Sequence, residues 1–126
     1  MTITELIRLT GQPARQIRYM IAEGFIPPPR GGRANADYGD DHVKAIRRYV
    51  ALRRQGLPPQ AIRVLLSANG SVPFEIAAGI SLNVDPQILG TEMDVDALSA
   101  RVRDVLRSLF VEQSDDDTRS KSRKPR

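Results

Sequence analysis

Helix-ending glycines and helix-opening prolines cut the first 70 residues of this 126-residue chain into short segments, and their placement limits what it can fold into. Gly11 ends a run holding Leu6, Ile7 and Leu9, and Thr4 is of a type that caps a helix N-terminus. Pro13 suits the first turn of a second helix, because its missing N–H would have no partner there. Ile17, Met20 and Ile21 are the inward positions of that helix and Gly24 is its stop. Asp40 or Asp41 caps a third helix, with Val43, Ile46, Val50 and Leu52 inward and Gly56 at its end. Pro59 opens a fourth, with Ile62, Leu65 and Leu66 on one face.

Only three residues separate the first two helices, the turn length of a helix-turn-helix. Between the second and third helices, Pro27-Pro-Pro-Arg-Gly-Gly-Arg33 excludes regular structure. It reads as an extended loop flanked by short strands at Phe25–Ile26 and near Ala36–Tyr38. Beyond residue 70 the period changes. Val72, Phe74 and Ile76 alternate, as do Ile80, Leu82 and Val84, with Ala78-Gly79 between, which fits a hairpin or one kinked strand. Thr91 or Asp94 then begins a helix to about Val111, with Val95, Leu98, Val102, Val105 and Leu109 spaced 3, 4, 3, 4. That spacing fits a short helix-pairing seam or one packed amphipathic face. The fold expected is mostly α with a small β part. A four-helix head spans residues 1–70, a strand-and-helix segment spans 71–111, and 112–126 is a disordered charged tail.

Charge follows the same division. Residues 1–70 hold 11 Lys/Arg against 5 acids, whereas residues 71–111 hold 3 against 6. A basic head beside an acidic segment fits one face for phosphates and a different role for the rest. The absence of cysteine excludes disulfides and thiolate metal sites, and His42 as the one histidine leaves no imidazole cluster. No nucleophile–base set and no phosphate-cradling Gly loop is present, so no enzyme and no cofactor is expected. No apolar run approaches a membrane span and no signal-peptide pattern follows Met1, so a soluble cytoplasmic protein is expected.

Ile17-Arg-Tyr19, Glu23-Gly-Phe-Ile-Pro-Pro28, Tyr38-x-x-x-His42-Val43 and Arg53-Arg-Gln-Gly-Leu57, in that order, resemble the winged helix-turn-helix head of the MerR family of bacterial transcription regulators. The resemblance covers about half the chain and implies double-stranded DNA as partner. By position it gives Arg18 and Tyr19 of the second helix a role at the phosphates, although Met20 stands where the family repeats Tyr. The Pro/Gly loop resembles the family's wing, whose Tyr-Arg-x-Tyr reads Asn35-Ala-Asp-Tyr38 here and keeps only Tyr38. Arg30 and Arg33 can compensate, while Asp37 is unfavourable beside DNA. Arg53 or Arg54 takes the place of a basic residue that contacts backbone flanking the wing. The residues themselves add Arg15, three positions before Arg18 on one face, and Gln16, whose amide can pair with adenine. Each has a bland alternative: a solvated basic face, an ordinary surface amide, or arginines favoured near a helix C-terminus by its dipole. His42 is expected to cap or lie at the surface.

The resemblance implies a nucleoid-associated regulator binding as a homodimer, with an unidentified small molecule or protein as effector. In the family a long helix pairs two copies. Asn69-Gly-Ser-Val-Pro73 interrupts that helix, so dimerisation falls to the strands or to Val95, Leu98, Val102, Val105 and Leu109. Two other readings stay open: an excisionase-like architectural DNA-binding factor, and a protein-interaction adaptor that has lost DNA binding.

Overall fold

The computed structural model describes residues 1–68 and 70–113, with the backbone but not the side chain of Arg33. The expected tail lies almost wholly outside the described residues. The first helix, α1 (Ile3–Thr10), starts earlier than expected, because Thr2 is the cap: its Oγ1 accepts the Glu5 N–H at 3.2 Å. The others follow the Gly/Pro pattern as α2 (Ala14–Ala22), α3 (Asp40–Arg54) and α4 (Pro59–Ser67). Pro13 and Pro58 hold extended backbone at two N-termini, and Gly39 rather than an aspartate occupies the N-cap of α3.

The two strands expected around the Pro/Gly loop do not form. Phe25 and Ile26 are buried in a tight turn, both N–H groups directed at the Met20 carbonyl. Pairing in the loop is confined to Arg30 and Asp37, which exchange N–H···O bonds of 2.9 and 2.8 Å. Three successive prolines explain this, since none has an N–H to donate and a ladder cannot begin before Arg30. Gly31 makes the tip possible: it sits at φ +80°, and a Cβ there would collide with the Asn35 carbonyl of a short 3₁₀ turn, Arg33–Asn35.

After α4, β1 (Val72–Ala77) and β2 (Ile80–Val84) form an antiparallel hairpin pairing Val72 with Val84 and Phe74 with Leu82. The register shifts between Glu75 and Ala77, next to the two-residue connection Ala78-Gly79. Val72 is buried, and Phe74 and Leu89 pack against the helical core. Gly90 closes this return: a Cβ there would lie 2.6 Å from the Arg47 carbonyl carbon, so only glycine lets the chain come this near α3. Met1–Thr91 is one compact unit. The second unit contains α5 (Val95–Leu109), capped by Asp94 Oδ1 accepting the Ala97 N–H at 3.1 Å.

The head's core joins Leu6 of α1, Ile17 and Met20 of α2, Ile46 and Leu52 of α3 and Ile62 of α4, all fully buried. Phe25, Ile26, Tyr38, Val43 and Tyr49 complete it. Because Leu52 is wholly enclosed, Leu52→Ala is expected to destabilise the protein by about 2–5 kcal/mol, read by urea denaturation. A loss below about 1 kcal/mol would mean that the site collapses freely or is not close-packed.

Candidate nucleic-acid interface

The orientation of α2 follows from burial. Ile17 and Met20 enter the core, so the helical period turns Arg15, Arg18 and Tyr19 to solvent. Two grooves flank the helix. One, of about 580 Å³, is lined by Thr2 and Ile3 of the first segment, Arg18 of α2, and Pro29, Ala34, Ala36 and Tyr38 of the loop. The other, about 280 Å³, is lined by Gln12 and Gln16 together with Tyr49, Val50, Arg53 and Arg54 of α3. Gln16 and Arg18 are roughly 200° apart around the helix, which is why they face different grooves. The structure thus brings Arg18 beside the loop, and Gln16 beside Arg53 and Arg54.

Several expected side chains are already engaged. Arg30 ion-pairs with Asp41 at 3.1 Å. Arg53 donates to the Leu57 carbonyl at 2.9 Å, so it also ties off the C-terminus of α3. Tyr38 is a core residue, its ring edge-on to His42 at 5.2 Å, and offers the groove little beyond its margin. His42 is not at the surface; it is buried and caps α3, its Nδ1 accepting the Gly39 N–H at 3.0 Å. Asp37, unfavourable in isolation, is neutralised by the Met1 amino group at 2.7 Å, whose hydrogen bond and charge hold the carboxyl below its ordinary range. Arg15, Arg18 and Arg54 make no hydrogen bond or ion pair among the described side chains, while the Arg33 side chain lies outside the description.

Sequence reasoning passed over Gln12, Tyr49 and Arg63. Tyr49 falls three residues after Ile46, so period alone could have placed it in the core. Its ring lies 4.7 Å from that of Phe25, and the Tyr19 ring lies 6.4 Å from Phe25. Arg63 of α4 covers Phe25 at 4.7 Å, donates to the Glu23 carbonyl at 2.6 Å and pairs with the Glu23 carboxylate at 3.0 Å. It therefore holds the turn that ends α2, across 40 residues of sequence.

A basic helix exposed between an Arg-bearing loop and the end of α3, on a four-helix frame, defines a winged helix-turn-helix head. The family model for the MerR HTH family regulatory protein matches residues 1–69, just over half the chain. The chain belongs to that family, whose members are DNA-binding transcription regulators and not enzymes. No curated protein and no solved structure matches it. No described helix is long and apolar enough to cross a membrane.

Arg63→Met keeps much of the side-chain stem and removes the donors. It is expected to cost about 1 kcal/mol of stability by urea denaturation, with the ion pair discounted for its exposure. No change would mean that the contacts to Phe25 and Glu23 do not hold the end of α2.

Proposed function

We propose that this chain is a sequence-specific regulator that binds double-stranded DNA as a homodimer, with α2 in the major groove and the Pro/Gly loop as its wing. The observation that carries this is the shared groove: Arg18 and the wing residues Pro29, Ala34 and Ala36 line one concavity beside the exposed face of α2. A helix N-terminal half carrying Arg15, Gln16 and Arg18 can reach base edges, while Tyr19 and the wing arginines, Arg30 and Arg33, meet phosphates. Arg53 and Arg54 sit where a second stretch of backbone would pass, with Gln16 between it and the bases. Tyr38 supports the wing from the core. Such a protein acts in the cytoplasm, at the nucleoid.

Dimerisation is assigned to α5. Val95, Leu98, Val102, Val105 and Leu109 are all exposed, at 66, 52, 44, 38 and 66%. A lone 15-residue amphipathic helix is marginal in water, so a second copy that covers this stripe supplies what the helix lacks. Charge supports antiparallel pairing, since Glu92, Asp94 and Asp96 sit at one end of the segment while Arg101, Arg103 and Arg107 sit toward the other. Two half-sites about one helical turn apart then match the two-fold axis.

Arg18→Ala is expected to weaken binding to a duplex selected by the protein by about 1–3 kcal/mol, measured by fluorescence anisotropy at physiological salt. Unchanged affinity would remove Arg18 from the interface. For the dimer, sedimentation at micromolar concentration should show two copies, and Leu98→Asp combined with Leu109→Asp should give a folded monomer. A wild-type monomer, or a double variant that still dimerises, would contradict the assignment to α5.

A further inference from the structure

We propose that His42 is a positioning residue for the wing, acting on DNA recognition through a contact with Pro28; this rests on the reading of the loop as a DNA-contacting wing. His42 is 1% exposed, and both ring nitrogens have defined partners. Nδ1 faces the Gly39 N–H at 3.0 Å, which can only donate. Nε2 faces the Pro28 carbonyl oxygen at 3.1 Å, which can only accept. Because that oxygen only accepts, Nε2 is the donor in this contact, while Nδ1 also lies 3.2 Å from Asp41 Oδ1.

The ring therefore spans two duties. Through Nδ1 it completes the N-terminus of α3; through Nε2–H it grips the segment leading into the wing, fourteen residues away. Pro28 lacks an N–H and lies outside the Arg30–Asp37 pairing, so this bond ties the approach to the wing to the core where no ladder can. Nearby, Arg30 reaches Asp41 at 3.1 Å across Gly39, where a Cβ would sit 2.9 Å from both the Arg30 guanidinium and the Asp41 carboxylate. Pro28 and Arg30, both on the segment that enters the wing, are thus tied to the first turn of α3.

The two duties separate by substitution in the full chain. His42→Asn keeps an acceptor near the position of Nδ1 and cannot reach Pro28. His42→Gln carries a donor to the position of Nε2 and loses the acceptor at Nδ1. Amide hydrogen exchange and the salt dependence of duplex binding are read for each. In His42→Asn, the Arg30 and Asp37 amides should exchange about five- to tenfold faster, the weight of one net hydrogen bond. The Gly39, Ile17 and Met20 amides should hold, and the slope of log K against log salt should flatten by about two, one for each wing of the dimer. In His42→Gln, the wing amides and the slope should stay near wild type while Gly39 exchanges faster. Wild-type protection of Arg30 and Asp37 in His42→Asn would overturn the proposal, as would loss of protection there in step with Ile17 and Met20. Wing amides that loosen while affinity and slope stay wild-type would uphold the positioning role and overturn the reading of the loop as a DNA contact.

Discussion

Mutual burial of four helices, none of which could persist alone, is the constraint on which the head depends. With 8, 9, 15 and 9 residues, α1 to α4 lie at or below the length at which isolated helices form in water. Their stability comes from placing Leu6, Ile17, Met20, Ile46, Leu52 and Ile62 in one fully enclosed cluster. That burial also does the functional work of orientation. Once Ile17 and Met20 are inside, Arg15 and Arg18 have no direction but outward, so the exposed basic face of α2 is a geometric consequence of the core.

A second consequence concerns the acids of the basic head. Glu23, Asp37 and Asp41 all lie on or beside the segments that flank α2, where negative charge would repel a phosphate backbone. Each is paired with a cation: Glu23 with Arg63, Asp37 with the Met1 amino group, and Asp41 with Arg30. At exposed sites such pairs contribute little stability. Their effect here is on the field, since they neutralise the acids locally while Arg15, Arg18 and Arg54 have no counter-charge bonded to them among the described side chains. The same pairing shows that a count of basic residues overstates what is available, because Arg30 and Arg63 are partly committed within the fold.

The helices of the head were legible in the sequence because their limits are written by local chemistry, in Gly11, Pro13, Gly24, Gly56 and Pro59. The hairpin was legible from alternation, and the stripe of α5 from its 3–4 spacing. What depended on distant partners was not. The hairpin's attachment to the helical unit turns on Gly90 approaching the Arg47 backbone, a contact no local pattern predicts. The wing lacks its expected strands because three prolines remove the donors, a rule that outweighed the β-favouring Phe25 and Ile26. Tyr38, which the resemblance gives as the one residue kept of the wing's Tyr-Arg-x-Tyr, is buried with its ring edge-on to His42. Arg63 reaching Glu23 over 40 residues, and His42 reaching Pro28 over 14, are tertiary facts.

The central claim is that the head engages duplex DNA through the exposed face of α2 and through phosphate-directed arginines of the wing and the end of α3. The most direct measurement is the affinity of the wild-type chain for a selected duplex as salt is raised from 50 to 200 mM, a range over which released counterions dominate the response. With about four to six phosphates neutralised by each head of the dimer, log K should fall against log salt with a slope of roughly −7 to −11. A slope near zero, or no binding at the lower salt, would contradict the account.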